Sequence, residues 1–309
     1  MSMEHRGIYA APLMPMHDDL SADLDKYIAH CRSLLDAGCQ GLMPIGSTGE
    51  AHSFTVEERI ATMDTLADSG LPTERMLIGT SALAFPDTIQ LAKHAVSFGA
   101  GGVCVQPPFY YKPAETVGLL DFFSRVIDGV NDPRLRLYVY DWESNLNVHH
   151  SLEFFSRLFE AYPQNAVGIK DSSGVPDMLI ERCRAFPDKD VFSGTDGMTL
   201  TCLRAGGNGT MSGISNLIPD VTTALYRDFD GEEGDRLQAR VGEIRAATGD
   251  LPWFSVLRAA KAWLSGDDSW NNARPTIRRL TTEEEAALRD RLTGLGLTPA
   301  RMAAEWEID

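Results

Sequence analysis

Eight short apolar runs separated by amphipathic stretches constrain this chain more than any other feature. They span residues 7–14, 41–45, 76–80, 102–106, 135–140, 167–170, 191–194 and 210–213. Between them, segments such as 23–37, 56–68, 86–98, 115–128, 152–162 and 178–186 carry apolar residues three and four apart, the spacing of a helix with one buried face. In 152–162, Leu152, Phe155, Leu158, Phe159 and Tyr162 share such a face. Continuously apolar strands alternating with helices mean a parallel sheet buried on both sides. An open doubly wound sheet has fewer strands and a glycine-rich first turn, so eight units predict an α/β fold of the (β/α)8 TIM barrel type. The glycine-rich stretches 99–102 and 205–209 each precede a strand, the wrong order for a dinucleotide fingerprint, and read as helix caps and tight turns.

A barrel is complete after the eighth run, yet helical sequence continues through 251–265 and 282–293. Leu257, Ala260, Trp263 and Leu264 form an apolar face that would cover the barrel or a neighbouring subunit, cover on its own barrel being the commoner outcome. The expected organisation is a catalytic barrel over 1–230 and a C-terminal helical appendage over 231–309.

Composition narrows the function. The chain has 309 residues, 43% hydrophobic and 23% charged, as an ordinary globular protein does, but its net charge is −16. That charge repels a phosphate backbone and anionic lipid, and no dense Lys/Arg cluster offsets it, so neither nucleic acid nor a membrane surface is expected as a partner. Five cysteines lack the close pairs of zinc sites or disulfide frameworks and read as core residues in a reducing compartment. With no apolar stretch of spanning length, the expected location is cytoplasmic.

Barrel active sites form at the C-terminal ends of the strands. There the chain places Ser47, Thr48, Tyr110, Tyr111, Tyr140, Lys170, Ser172, Thr195 and Ser212. Of six lysines, Lys26 and Lys93 fall in amphipathic helices, Lys112 and Lys189 in loops and Lys261 in a late helix; Lys170 alone ends a barrel strand. An amine held out of water stays partly neutral, as a Schiff-base nucleophile needs, whereas a solvated strand end is the structural alternative. Tyr140 ends the preceding strand, so the two side chains can meet and a phenol can shuttle a proton to the amine. Gly46-Ser47-Thr48-Gly49-Glu50 has the glycines and hydroxyls of a small anion nest suited to a carboxylate, with an ordinary helix N-cap as the alternative. Metal chemistry has little support: His149-His150 are adjacent, His52 has no obvious partner, and the histidines read as surface or loop residues. Glu50, Asp171 and Asp196 read as turn or cap hydrogen-bonding groups.

Gly46-Ser47-Thr48-Gly49-Glu50, Pro108-Phe109-Tyr110-Tyr111, Leu137 to Tyr140 and Gly168-Ile169-Lys170-Asp171-Ser172-Ser173-Gly174, in order at barrel spacing, resemble the dihydrodipicolinate synthase/N-acetylneuraminate lyase family. Ser193-Gly194-Thr195-Asp196 and Arg274-Pro275 extend the resemblance, which runs from about Gly7 to Leu297. It implies a class I, pyruvate-dependent lyase on a (β/α)8 barrel, a homotetramer arranged as a dimer of dimers. Lys170 would form the imine with pyruvate or another 2-oxo acid, and Tyr140 would move protons. Ser47 and Thr48 would hold the carboxylate, and the Met211 carbonyl would line the pocket. Tyr110 would enter a neighbouring subunit's site and complete a hydroxyl relay through Thr48 to Tyr140. The imine is the electron sink, so no cofactor or metal is expected.

The loop after the fifth strand departs from that pattern. In dihydrodipicolinate synthases this stretch resembles Tyr-Asn-x-Pro-x-Arg-Thr-Gly; here it reads Tyr140-Asp141-Trp142-Glu143-Ser144-Asn145-Leu146-Asn147, with Asn145 at the substrate-gripping arginine's place. An amide cannot imitate a guanidinium's two-pronged charged contact. The expected function is therefore a Schiff-base lyase or aldolase whose second substrate is open. Two alternatives stand beside it: a 2-keto-3-deoxy sugar acid dehydratase using the same imine, and a barrel that binds a small carboxylate without turning it over.

Overall fold

Each apolar run contributes one parallel strand in the computed structural model, which describes residues 5–300. The strands are β1 (Gly7–Ala10), β2 (Gly41–Leu42), β3 (Leu77–Gly79), β4 (Gly102–Val105), β5 (Leu137–Asp141), β6 (Ala166–Asp171), β7 (Asp190–Ser193) and β8 (Gly209–Ser212). They are hydrogen-bonded in the order β2-β1-β8-β7-β6-β5-β4-β3, and a parallel bridge from Leu42 to Met76 joins the two ends of that row into a closed ring. A cluster including Tyr9, Leu77, Cys104, Tyr138 and Phe192 fills the ring, as a packed barrel requires.

Helices α1 (Leu24–Asp36), α2 (Val56–Asp68), α3 (Phe85–Ser97), α4 (Thr116–Val130), α5 (Glu143–Leu146), α6 (Leu152–Ala161), α7 (Pro176–Ala185), α8 (Thr199–Arg204) and α9 (Pro219–Arg227) lie in the connections and after β8. Phe155, Leu158 and Phe159 of α6 are buried as their spacing predicts, and Phe154 joins them. The appendage consists of α10 (Glu232–Ala246), α11 (Trp253–Ser265) and α12 (Thr282–Gly294). Leu257, Ala260 and Leu264 pack in one cluster with Leu13 and Ile214, so this apolar face covers the chain's own barrel. The outer ends of the two expected regions, 1–4 and 301–309, lie outside the described residues.

Two strands are shorter than their apolar runs. β1 stops at Ala10, ahead of Pro12 and Pro15, which lack the N–H that pairing needs. β2 is regular only to Leu42, although the Met43 N–H and the Pro44 carbonyl still bond Ala10 and Gly79 on either side, and the run ends at Ile45, whose φ is 56°. All five cysteines are buried, as expected. The reading of the histidines holds in part: His17 and His149 are exposed in loops, whereas His5 and His150 lie in loops but are buried and His30 is buried within α1, these three each hydrogen-bonded to a polar side chain. His52 also has a partner, Gln106 Oε1, at 2.6 Å. No described helix is long and apolar enough to cross a membrane.

Lys261 on α11 is buried beside the Asn216 carbonyl (3.4 Å), and desolvation pulls its pKa down to about 8. Its folded-state value lies below the unfolded one of about 10.4, so the folded protein binds fewer protons between these pH values. Stability relative to Lys261→Met should therefore rise as pH increases from about 8 to 10, at up to roughly 1.4 kcal/mol per pH unit. Urea titrations of both proteins at pH 7.5 and 10 measure this; a constant difference refutes it.

Candidate active site

Alternation along the strands decides which side chains enter the barrel. Val139 and Ile169 belong to the layer beneath the helices, so their neighbours Tyr138, Tyr140 and Lys170 project to the inside. Tyr140 and Lys170 are direct register partners on β5 and β6. Gly168 is required here because a Cβ would come within 2.7 Å of the Tyr138 ring and 2.3 Å of the Asp190 carbonyl oxygen.

Lys170 is only 4% exposed. Its Nζ lies 3.8 Å from the centroid of the Tyr140 ring and 3.1 Å from Met43 Sδ. Among the described residues no carboxylate stands within ion-pair distance of it, so burial is offset by a ring face and a thioether rather than by a counter-charge. Gly194 keeps space for this arrangement: a Cβ there would sit 3.1 Å from Lys170 Cε and 1.8 Å from Ser172 Oγ.

Ser47, Thr48, Tyr140, Lys170 and Met211 line one cleft of about 150 Å³ at the strand ends. Ser47–Gly49 forms a single 3-10 turn closed by Glu50 at φ 58°. The Gly49 and Glu50 N–H groups donate within the turn, to Gly46 and Ser47 carbonyls at 3.1 Å, so what the turn keeps for a ligand is the Ser47 and Thr48 hydroxyls and the N–H groups of its first residues. The other two residues singled out in the sequence stand elsewhere. Asn145, exposed on α5, lines an adjoining cavity of about 180 Å³, and Trp142, stacked on Tyr140 at 6.0 Å and 11°, borders both spaces. Tyr110 is 73% exposed on the surface of this single chain, edge-on to Tyr111.

Three acidic residues read as turn or cap groups do more than that. Asp171 does accept from the Ser173 N–H at 2.8 Å, but its other oxygen binds Arg182 Nη1 at 2.6 Å. Arg182 also donates to Asp141, which accepts from His150 Nδ1 at 3.0 Å, and all four residues are buried. Burial alone would raise the Asp141 carboxyl; the His150 hydrogen bond and the Arg182 charge outweigh it and hold it below its usual range. Because Asp141 and Asp171 follow Tyr140 and Lys170, Arg182 ties together the two strand ends that carry the central pair. Glu50 is likewise buried: it pairs with Arg258 of α11, whose Nε donates at 2.6 Å, and accepts from the Arg274 N–H at 3.0 Å. Asp196, pushed up by burial, accepts from Ser212 Oγ at 2.5 Å.

Sequence reading missed Arg182, Arg258 and Arg245, the last of which reaches the cleft from α10. Helical spacing gives such residues no distinguishing mark. Among the described residues no three His, Cys, Asp or Glu side chains gather as a metal site would need.

The Dihydrodipicolinate synthetase family pattern matches residues 4–294. An uncharacterized DapA-like lyase of Halobacterium salinarum is 33% identical over 284 residues, covering 90% of each chain. A 4-hydroxy-tetrahydrodipicolinate synthase of Gluconacetobacter diazotrophicus is 28% identical across 94% of this chain and 97% of its own. Among solved structures, dihydrodipicolinate synthase from Agrobacterium tumefaciens superposes with a TM-score of 0.87 at 26% identity, covering 94% of this chain and 99% of that one. The family match across nearly the whole barrel, together with a buried lysine and tyrosine at adjoining strand ends, identifies the chain as a lyase of the dihydrodipicolinate synthetase family.

Proposed function

We propose that the protein is a class I lyase that forms an imine between Lys170 and pyruvate or a related 2-oxo acid. The observation that carries this reading is the buried Lys170 amine 3.8 Å above the Tyr140 ring, in register across β5 and β6. The YagE protein of E. coli, 26% identical with a TM-score of 0.85, has been solved in complex with pyruvate, which supports the same substrate class here.

In this scheme Ser47 and Thr48 hold the oxo acid's carboxylate. The neutral amine attacks the carbonyl carbon; the departing oxygen leaves as water after receiving protons through Tyr140. Loss of a proton from the adjacent carbon gives an enamine, which forms a carbon–carbon bond to an aldehyde carbonyl. The new alkoxide takes a proton, and water then cleaves the imine, releasing a 4-hydroxy-2-oxo acid and free Lys170. The reverse sequence cleaves that product. The protonated imine is the electron sink, so the cycle needs no cofactor. Tyr110, exposed in one chain, completes the hydroxyl relay from a neighbouring subunit of a homotetramer; a fully active monomer in solution would overturn that part.

The test is to add pyruvate, reduce with borohydride and locate the modification by mass. A pyruvate-sized adduct on the peptide containing Lys170 is expected, and its absence would sink the proposal. Tyr140→Phe should still be trapped but turn over roughly 10²–10⁴-fold more slowly, the range that a positioned proton donor contributes; unchanged kcat would remove Tyr140 from the relay.

A further inference from the structure

We infer that Arg245 holds an oxyanion on the aldehyde half of the substrate, so that the second substrate is an aldehyde bearing a carboxylate or a phosphate. This rests on the imine chemistry proposed for Lys170.

Arg245 lies in the last turn of α10 and lines the same cleft as Lys170. Its guanidinium carbon sits 3.4 Å from the centroid of the Trp253 ring, and Nη1 lies 3.3 Å from Thr248 Oγ1. The planar group is thus laid on the indole face, the arrangement that leaves edge N–H donors available for a two-pronged contact. Among the described residues no carboxylate stands within ion-pair distance of it, although the chain carries 44 acidic residues against 28 basic ones. Asp196, the acidic residue lining this cleft, accepts from Ser212 and acts on Arg245 only through space, without an ion pair.

A second observation marks the same space as a ligand site. Ser172 Oγ lines the cleft, is buried and has no hydrogen-bond partner among the described residues. A buried hydroxyl left unmatched costs free energy that a polar ligand recovers. The cleft therefore has two separate polar ends. Ser47 and Thr48 follow β2, while Asp196 follows β7 and Arg245 descends from the appendage. With the oxo acid's carboxylate on the two hydroxyls, an arginine without a direct ion pair remains for a second anion.

The test uses the full protein with Lys170 capped by pyruvate and borohydride, which fills the oxo-acid end. Calorimetric titration with succinate and with inorganic phosphate should show saturable binding of at least one, weakened tenfold or more in Arg245→Gln and partly restored in Arg245→Lys. Which of the two anions binds separates carboxylate from phosphate. In turnover, Arg245→Gln should raise KM for succinic semialdehyde or glyceraldehyde 3-phosphate about 10- to 100-fold while leaving KM for uncharged glyceraldehyde within about twofold, since a charged two-pronged contact is lost. No binding of either anion, or equal losses for charged and uncharged aldehydes, overturns the inference while leaving the imine intact. Weaker trapping of pyruvate by Arg245→Gln would overturn it by placing the guanidinium on the oxo acid instead. An untrapped wild-type protein overturns the imine reading itself, and this inference with it.

Discussion

Lys170→Ala should lose turnover roughly 10⁵–10⁶-fold, the scale on which removal of a covalent nucleophile acts, and should give no borohydride-trapped adduct. The expected fold stability is close to that of the parent protein. Two opposing effects lead to this result. Truncation leaves a small gap against Met43 and Tyr140, which costs packing energy. It also removes a buried amine with no carboxylate within ion-pair distance among the described residues, a group costly to hold away from water. Lys170→Arg keeps a long polar side chain in place but removes the nucleophile, since a guanidinium forms no imine. It should be as inactive as the alanine variant. An alanine variant that keeps substantial turnover, or is still trapped at another lysine, would remove Lys170 from the chemistry.

Arg182→Ala should cost about 3–5 kcal/mol of folding stability, because it strands two buried carboxylates, Asp141 and Asp171, without their cation. Against a typical total of about 5–15 kcal/mol, that is a large fraction. Urea unfolding midpoints measure it, and a loss below about 1 kcal/mol would show that the network is not a coupled unit. The triple substitution Arg182→Met, Asp141→Asn, Asp171→Asn removes the charges together and should recover much of the stability, since neutral replacement of a buried ion cluster is often tolerated. Activity should recover less, because the strand ends carrying Tyr140 and Lys170 are then joined by weaker contacts. The sign with pH follows from Asp141. Its carboxyl is held below the unfolded value, so the contribution is present at neutral pH and is lost as pH falls through the folded-state pKa.

The barrel was legible in the chain because strands buried on both sides must be continuously apolar, and helices facing them must be apolar every three to four residues. Lys170 and Tyr140 were legible for the same reason: they interrupt apolar runs at the end where barrels do chemistry. What escaped was pairing across long separations. Glu50 meets Arg258 at a separation of 208 residues, and Asp141 meets Arg182 at 41. No local pattern distinguishes a carboxylate that caps a turn from one that anchors a distant arginine, and Asp171 does both. Arg245 was hidden differently. An arginine near a helix C-terminus looks like a solvated, dipole-compensating charge, and only the path of α10 over the barrel mouth turns it inward.

The bond between Glu50 and Arg258 also joins the two ends of the sequence at the cleft. The Ser47–Thr48 turn ends at Glu50, whose buried carboxylate has its cation on α11 and a further donor in the Arg274 backbone. The turn that borders the cleft is therefore braced from the C-terminal helices, and a change at Arg258 reaches Ser47 and Thr48 without touching the cleft itself.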